Sequence, residues 1–377
     1  MSSVDAYTEA NSQQIAFINS SILQYARSRN YDFGELNRGN VSNLSKFISH
    51  RVILEYDLID ETLRRHEYAK VEKFIQEIFW RVYWKGWLEL RPRVWHDFVN
   101  SESPVDHETL KKALAGRTGI ECFDDWVSEI KQRNYLHNHT RMWFASIWIF
   151  TLKLPWQLGA KFFLEQLLDG DAASNTLSWR WVAGVQTKGK HYLARSSNIY
   201  KFSNARYPNT KLNEVAPPIE ESGDYDIQPN SLKTKEDQSN SQLLIFENDL
   251  HFKTREELYL KYSKIYLLNL GNKERKIPLS ENVISFKNSL LFSFQKIFPN
   301  SEILIHDFEE IAMDLKSIDV VYPFVGENLD YIQKLSVKHN FKISYLYRKE
   351  DNLCRAFCNK GFFNFKNNIP EILKLIR

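Results

Sequence analysis

Around residues 74–82 apolar side chains return every third or fourth position, with Phe74, Ile75, Ile78, Phe79 and Val82 on one face. That is the period of a helix burying a single side. The stretches Ala113 to Ile130 and Leu158 to Leu168 repeat it, and Pro155 stands where a helix can begin, since proline's missing donor costs nothing in a first turn. The first part of the chain therefore reads as helix after helix. Between about Glu214 and Ser241 the pattern stops, and prolines, Ser, Asn and acidic residues take over as in a solvated linker. Beyond it the runs shorten to "QLLIF", "KIYLLNL", "SEILIH", "DVVYPFV" and "FKISYLY", separated by the helix-like stretches Lys287 to Phe298 and Asn328 to His339. Strands alternating with helices predict a parallel sheet covered on both faces. The expected fold is multidomain, α and α/β: a helical domain over 1–213, an acidic linker over 214–241 and a Rossmann- or flavodoxin-like α/β domain over 242–377. No GxGxxG or GxxxxGK(S/T) follows any of these strands, so a dinucleotide or P-loop site has no support there.

The length of 377 residues agrees with two domains at roughly 150 residues each. No run of about 18 uncharged apolar residues is present, and the opening MSSVDAYTEA lacks the basic and apolar regions of a signal peptide, so the expected location is the cytoplasm. Cys122, Cys354 and Cys358 show neither a CxxC nor zinc spacing and read as ordinary thiols. The net charge of +3 is unevenly spread: residues 172–213 contain no Asp or Glu but hold Arg180, Lys188, Lys190, Arg195, Lys201, Arg206 and Lys211. Such a segment suits a phosphate backbone, or equally a solvated face balanced by the acidic linker.

All ten tryptophans fall between Trp80 and Trp181. An aromatic core accounts for Trp80, Trp84 and Trp87 at helical spacing, but polar groups recur in the same helices. They concentrate in "YLHNHTRM", Tyr135 to Met142, and in "LPWQLGAKFFLEQLLDGDAASNTLSWRW", Leu154 to Trp181. Asp169 and Asp171 offer two carboxylates, Arg141 a balancing charge, and Asn175 lies one helical turn past Asp171. No ordered set of His ligands accompanies the carboxylates, so a metal is not expected; Asp171 alternatively caps the next helix.

These stretches resemble the helical flavin domain of the photolyase/cryptochrome family, in which a His-Asn-Arg-x-Arg-Met stretch is followed by Trp, Asp-Gly-Asp, Asn and Trp-x-Trp. "YLHNHTRM", Trp156 and "DGDAASNTLSWRW" follow in that order at matching spacings. Upstream, "FIQEIFWRVYW", "GRTGIECFD" and "NVSNLSKFIS" are similar to further family elements, as is "NIYKFS" downstream, so the likeness runs from about residue 37 to 207. It implies an all-helical FAD-binding domain in which Ser42, Asn43, Leu44 and Ser45 open a helix toward the FAD pyrophosphate. Arg141 and Asp169 would pair beside the flavin ring, Asp171 would accept a hydrogen bond from the cofactor, and Asn175 would face its nitrogen-5. Trp179 and Trp156 match the first two members of an electron relay, and Glu77, Trp80, Asn138, Met142 and Trp181 match the pocket for a flipped-out pyrimidine dimer. The function implied is blue-light repair of cyclobutane pyrimidine dimers in DNA by electron transfer from excited reduced FAD; the alternative is a light-signalling or redox flavoprotein.

The likeness has three departures. His139 replaces an arginine, no tryptophan stands near Ser103 for a third relay member (Trp95 and Trp148 being candidates), and the flavin domain precedes the α/β domain. "LLIFENDLHF", Leu243 to Phe252, resembles the opening strand of the family's antenna domain, so a permuted antenna-like domain is expected, with an unrelated flavodoxin-like domain as the alternative. A second, antenna chromophore is implied without identity.

Overall fold

The computed structural model describes residues 5–187, 189–219, 225–228 and 234–377. Its longest helix, Tyr68–Glu89, buries Val71, Phe74, Ile75, Ile78, Phe79 and Val82, the face marked by the apolar period. The expected helix from Ala113 to Ile130 is instead two, His107–Ala115 and Glu121–Arg133. Gly116 ends the first at φ 65°, in the left-handed region open to glycine, and the Asp124 carboxylate accepts from the Thr118 and Gly119 amides to hold the turn. The apolar period carries across this break, so periodicity alone does not reveal it. Helix Asn138–Ser146 runs on into one π-helical turn, Ile147–Thr151; Pro155 starts helix Trp156–Gln166, and helix Ala172–Ala183 follows.

The sheet has six parallel strands: β1 (Thr234–Lys235), β2 (Gln242–Phe246), β3 (Lys264–Leu270), β4 (Ser301–His306), β5 (Ser317–Val321) and β6 (Lys342–Leu346). Their order is β1-β6-β5-β2-β3-β4. Counted from β2 this is 3-2-1-4-5, the Rossmann order and not the flavodoxin-like one. Leu243, Leu244 and Ile245 of β2 are wholly buried, as a central strand covered on both faces requires. Strand β1 lies inside the stretch expected to be linker, and the Gln228 amide donates to Leu90 O at 2.9 Å, so that stretch is tied to the fold at both points.

Buried charge joins the helical part to the sheet. Arg51, 1% exposed at its side chain, pairs with Glu55 (3.1 Å), Asp249 (3.1 Å) and Asp351 (2.7 Å), and Arg348 takes the other side of Asp249 at 2.7 Å. Glu89 of the long helix accepts from Tyr322 Oη at 2.5 Å and from the Val325 amide at 2.7 Å. Burial opposes ionisation of Glu55, Glu247 and Asp249, but Arg51 and Lys85, Lys287 and Arg275, and Arg348 and Arg51 respectively outweigh it. Glu55 and Glu247 are held at about 2, and Asp249 lies well below the carboxylate range.

Buried histidines add a second acid-sensitive set. Burial first, aided by Lys287, lowers His50 to about 3; burial and Arg348 lower His251 to about 3; burial and Arg38 lower His137 to about 4. An unfolded imidazole titrates near pH 6.5, so below that pH the unfolded chain binds protons that the folded chain refuses. Stability is therefore expected to be full above about pH 6.5 and to fall by up to roughly 1.4 kcal/mol per pH unit per histidine below it. The depressed carboxylates extend the loss from about pH 4 toward pH 2. Urea midpoints across pH 4–8 test this, and a flat profile between pH 7 and 5 would contradict it.

Candidate functional site

Four helices, Tyr68–Glu89, Asn138–Ser146, Trp156–Gln166 and Ala172–Ala183, and the loop 41–45 enclose a cavity of about 360 Å³. Thirteen positions were expected from the sequence to be cofactor- or dimer-binding; twelve of them line it: Ser42, Asn43, Leu44, Ser45, Glu77, Trp80, Asn138, Arg141, Met142, Asp169, Asn175 and Trp181, together with Trp179.

Arg141 is aimed by its own turn, with Nε donating to Leu136 O at 2.8 Å and Nη2 reaching Asp169 Oδ2 at 2.9 Å. Burial raises the Asp169 pKa and the Arg141 guanidinium more than offsets it, so the carboxyl stays ionised; the Ser45 hydroxyl beside it lowers it further without completing a hydrogen bond of ordinary geometry to Oδ1. The Ser49 hydroxyl donates to Asp169 O at 2.8 Å and in turn accepts from Arg81, fixing the loop from behind. Asn175 Nδ2 donates to Ala160 O at 2.9 Å. A carbonyl can only accept, so this bond identifies the amide nitrogen and leaves Oδ1 as the group available to a ligand.

At the more open side, Glu77 pairs with Arg29 (3.4 Å) and Lys73 (3.0 Å), and Asn138 is exposed. Trp181 stacks on Tyr192 with centroids 5.8 Å apart. Trp80 is held by Phe362 (3.4 Å, 15°), Trp84 (5.0 Å) and Tyr83 (5.7 Å), so it is at once a lining residue and a packed one. The Trp179 indole lies over Gly159, where a Cβ would stand 2.3 Å from Cη2; it also meets Phe163 at 5.0 Å and Trp148 at 6.3 Å.

Several expected roles change. Asp171 does not line the cavity: its oxygens accept from the Ala173 amide (2.9 Å), the Ser174 amide (3.0 Å), Ser174 Oγ (2.8 Å) and Arg81 (3.2 Å), which makes it the cap of helix Ala172–Ala183. Trp156 also lies outside the cavity, stacked on Phe98 at 5.4 Å, which in turn meets Trp95 at 5.7 Å. The loop element opens a helix of only five residues, Ser45–Ser49; the Asn43 amide closes its own loop on Arg38 O at 3.1 Å, and the Leu44 side chain is core. What these residues offer a phosphate is backbone amides and the two hydroxyls, with little helix dipole. In the basic segment Lys190, Arg195, Lys201 and Lys211 are exposed, Arg180 is buried, and Lys188 lies outside the described residues.

Tyr135 and His137 of the "YLHNHTRM" stretch also line the cavity, as do Arg29, Arg81 and Phe163, which the sequence reading did not single out. His137 accepts the His139 amide on Nδ1 at 3.3 Å, so its proton is on Nε2, which has no hydrogen-bond partner in the protein. His139, where an arginine was expected, is turned inward: Nδ1 meets Asn30 O at 2.8 Å and the ring packs 4.3 Å from Trp143. Burial and the Asn30 carbonyl thus give it a structural place. Among the described residues no His/Cys/Asp/Glu cluster suits a metal, the three cysteines are free and buried, and no helix is long and apolar enough to cross a membrane.

Residues 74–229 match the family described as the FAD binding domain of DNA photolyase. Deoxyribodipyrimidine photo-lyase of Buchnera aphidicola is 30% identical over 185 residues, covering 45% of this chain and 38% of that protein. The Agrobacterium fabrum photo-lyase is 36% identical over 119 residues, covering 30% and 25%. Cryptochrome-1 of Arabidopsis thaliana is 32% identical over 88 residues, covering 23% and 13%. Among solved structures, a bacterial class III photolyase from Agrobacterium tumefaciens is 26% identical, with a TM-score of 0.46 over 52% of this chain and 42% of that one. The chain thus spans less than half the length of each of these relatives.

Proposed function

We propose, on the premise that residues 74–229 are a photolyase-type FAD-binding domain, that this protein holds FAD in the cavity and repairs cyclobutane pyrimidine dimers in DNA under blue light. One observation carries the reading. A single cavity unites an ionised Arg141–Asp169 pair, an anchored Asn175 and the Trp179 indole with a more open set of Glu77, Trp80, Asn138, Met142 and Trp181. The first set suits a flavin and the second a stacked, hydrogen-bonded pyrimidine dimer.

The donor set fits the cofactor. Asp169 Oδ1 and the protonated Nε2 of His137 are buried without a hydrogen-bond partner, and such groups are costly unless a ligand satisfies them. Arg141 and Asp169 would orient the ring, Asn175 would present its amide oxygen, and the 42–45 amides with Ser42 and Ser45 would meet the diphosphate. When bound, reduced FAD would supply, on absorbing blue light, the electron that splits the dimer ring and would take it back afterwards. Trp179, buried on Gly159, would donate an electron to a bound flavin. Trp80 and Trp181 provide the flat faces for an extruded dimer, while Glu77 and Asn138 provide hydrogen bonds to its edges. The exposed Lys190, Arg195, Lys201 and Lys211 supply phosphate contacts.

We read the sheet domain as a permuted antenna-like domain. Its first long strand, β2, is central, and the Asp249 that follows it is buried on Arg348 and Arg51 against the helical part. The crevice where the strand order reverses, between β2 and β5, is crossed by the Asn248 to Pro323 O bond and stoppered by Glu89 of the long helix. A second chromophore would therefore sit elsewhere.

Glu77→Ala tests the dimer pocket. Glu77 is partly exposed, and its ion pairs contribute less than about 1 kcal/mol to folding, so flavin content should be unchanged. Affinity for dimer-containing oligothymidine should fall by about 5- to 150-fold while undamaged oligonucleotide binds as before. Equal affinities of the variant and the parent for the dimer would remove Glu77 from the pocket.

A further inference from the structure

We infer that Phe362, delivered by the last helices of the α/β part, is a positioning residue for the Trp80 indole, so that the C-terminal region builds the back wall of the dimer pocket; this rests on the pocket reading above. The Phe362 and Trp80 rings are stacked, with centroids 3.4 Å apart and planes within 15°. Trp80 lines the cavity; Phe362, 8% exposed, does not. Phe362 therefore covers one face of Trp80 from outside the cavity lining, and a ligand meets the part of the indole that Phe362, Trp84 and Tyr83 leave uncovered.

Phe362 is itself fixed at several points. It meets Tyr83 edge-on at 5.3 Å and Phe365 at 6.0 Å. Tyr83 Oη donates to Lys360 O at 2.9 Å, and Arg91 donates to Asn359 O at 2.9 Å. At Gly86 the approach is so close that a Cβ would lie 2.5 Å from Cys358 Sγ. The segment from Cys354 to Phe365 is thereby clamped along the helix that carries Glu77 and Trp80. A partly exposed indole on a helix surface can change rotamer, and a base that stacks on it must then offset the entropy of fixing the ring. Backing by a second flat ring removes that freedom in advance. The sheet domain thus shapes substrate binding through its C-terminal end, without contacting DNA at this position.

The test compares Phe362→Leu, which keeps an apolar side chain but loses the flat face, with Phe362→Tyr, which keeps the ring, in the flavin-loaded full chain. Phe362→Leu should weaken binding of dimer-containing oligothymidine by about 3- to 10-fold, with flavin content and affinity for undamaged oligothymidine unchanged. Phe362→Tyr should bind the dimer within about twofold of the parent. Parent-like dimer binding by Phe362→Leu alongside weakened binding by Glu77→Ala overturns the role of Phe362 and leaves the pocket standing. Unchanged binding in both variants overturns the pocket and this inference with it. Joint loss of flavin and of both affinities in Phe362→Leu, or failure of Phe362→Tyr to restore binding, shows general packing and likewise overturns it.

Discussion

Arg51→Ala is expected to lower the unfolding free energy by about 3–5 kcal/mol, the usual cost of removing one partner from a buried ionic cluster. The side chain neutralises Glu55, Asp249 and Asp351 at once, and its guanidinium also lies 4.7 Å from the centre of the Phe324 ring. Its removal strands acidic groups in a region closed to water. The loss is moderated because Asp249 keeps Arg348 at 2.7 Å, Glu55 keeps Lys85 at 3.2 Å and Asp351 keeps Tyr56 Oη at 2.9 Å. Backbone strain separates two contributions. Arg51 has φ 49°, an uncommon conformation for a side chain that is not glycine, so Arg51→Gly should lose the same charge interactions yet recover roughly 1 kcal/mol relative to Ala. Because the cluster joins residues before 60 to residues after 245, both variants should also shed flavin as the sheet loosens from the helices. Urea unfolding decides it: a loss below about 1 kcal/mol in Arg51→Ala would mean the charges are solvated and the two parts are not held together here.

Trp179→Phe is expected to remove most light-driven flavin reduction while leaving flavin bound. An indole gives up an electron far more readily than a phenyl ring, and Trp179 is the cavity-wall tryptophan nearest Asp169 in sequence, packed on Phe163 of the same wall at 5.0 Å. The fold should tolerate the change: Nε1 has no hydrogen-bond partner to lose, and the smaller ring leaves a void that costs roughly 1–3 kcal/mol. Beyond Trp179, Trp148 is a second candidate beside the expected Trp156. Among the described ring contacts, Trp179 meets Trp148 at 6.3 Å, while Trp156 meets Phe98. Trp148→Phe and Trp156→Phe therefore separate the two routes, and normal photoreduction in Trp179→Phe would place the first donor elsewhere.

The cavity was legible because its residues lie in four short stretches, 42–45, 77–80, 138–142 and 169–181, and within the last three the spacing is largely set by helix geometry. Asn175 and Trp179, four apart on Ala172–Ala183, come to one face whatever the rest of the chain does. Strands β2, β3 and β4 were legible for a similar reason, being compact apolar runs with abrupt ends. What failed depended on side-chain competition that spacing does not encode. Asp171 takes the alternative that the sequence offered, the cap of the next helix, while its bond to Arg81, a residue ninety positions earlier, had no sequence signal. Gly116 breaks a period that continues across it. Phe362 and Arg51 were invisible because the partners that give them their roles, Trp80 and Asp351, lie hundreds of residues away. Strand β1 was missed because two residues carry no period at all.

The central claim is tested most directly by illuminating the flavin-loaded protein, with its flavin reduced, together with ultraviolet-irradiated oligothymidine. The account predicts that blue light restores the absorbance lost when the dimers formed, that darkness does not, and that Glu77→Ala with full flavin content is slowed at subsaturating substrate. A yellow, photoreducible protein that restores no absorbance under any illumination would contradict the repair claim and identify the cavity as that of a light-responsive flavoprotein acting on another partner.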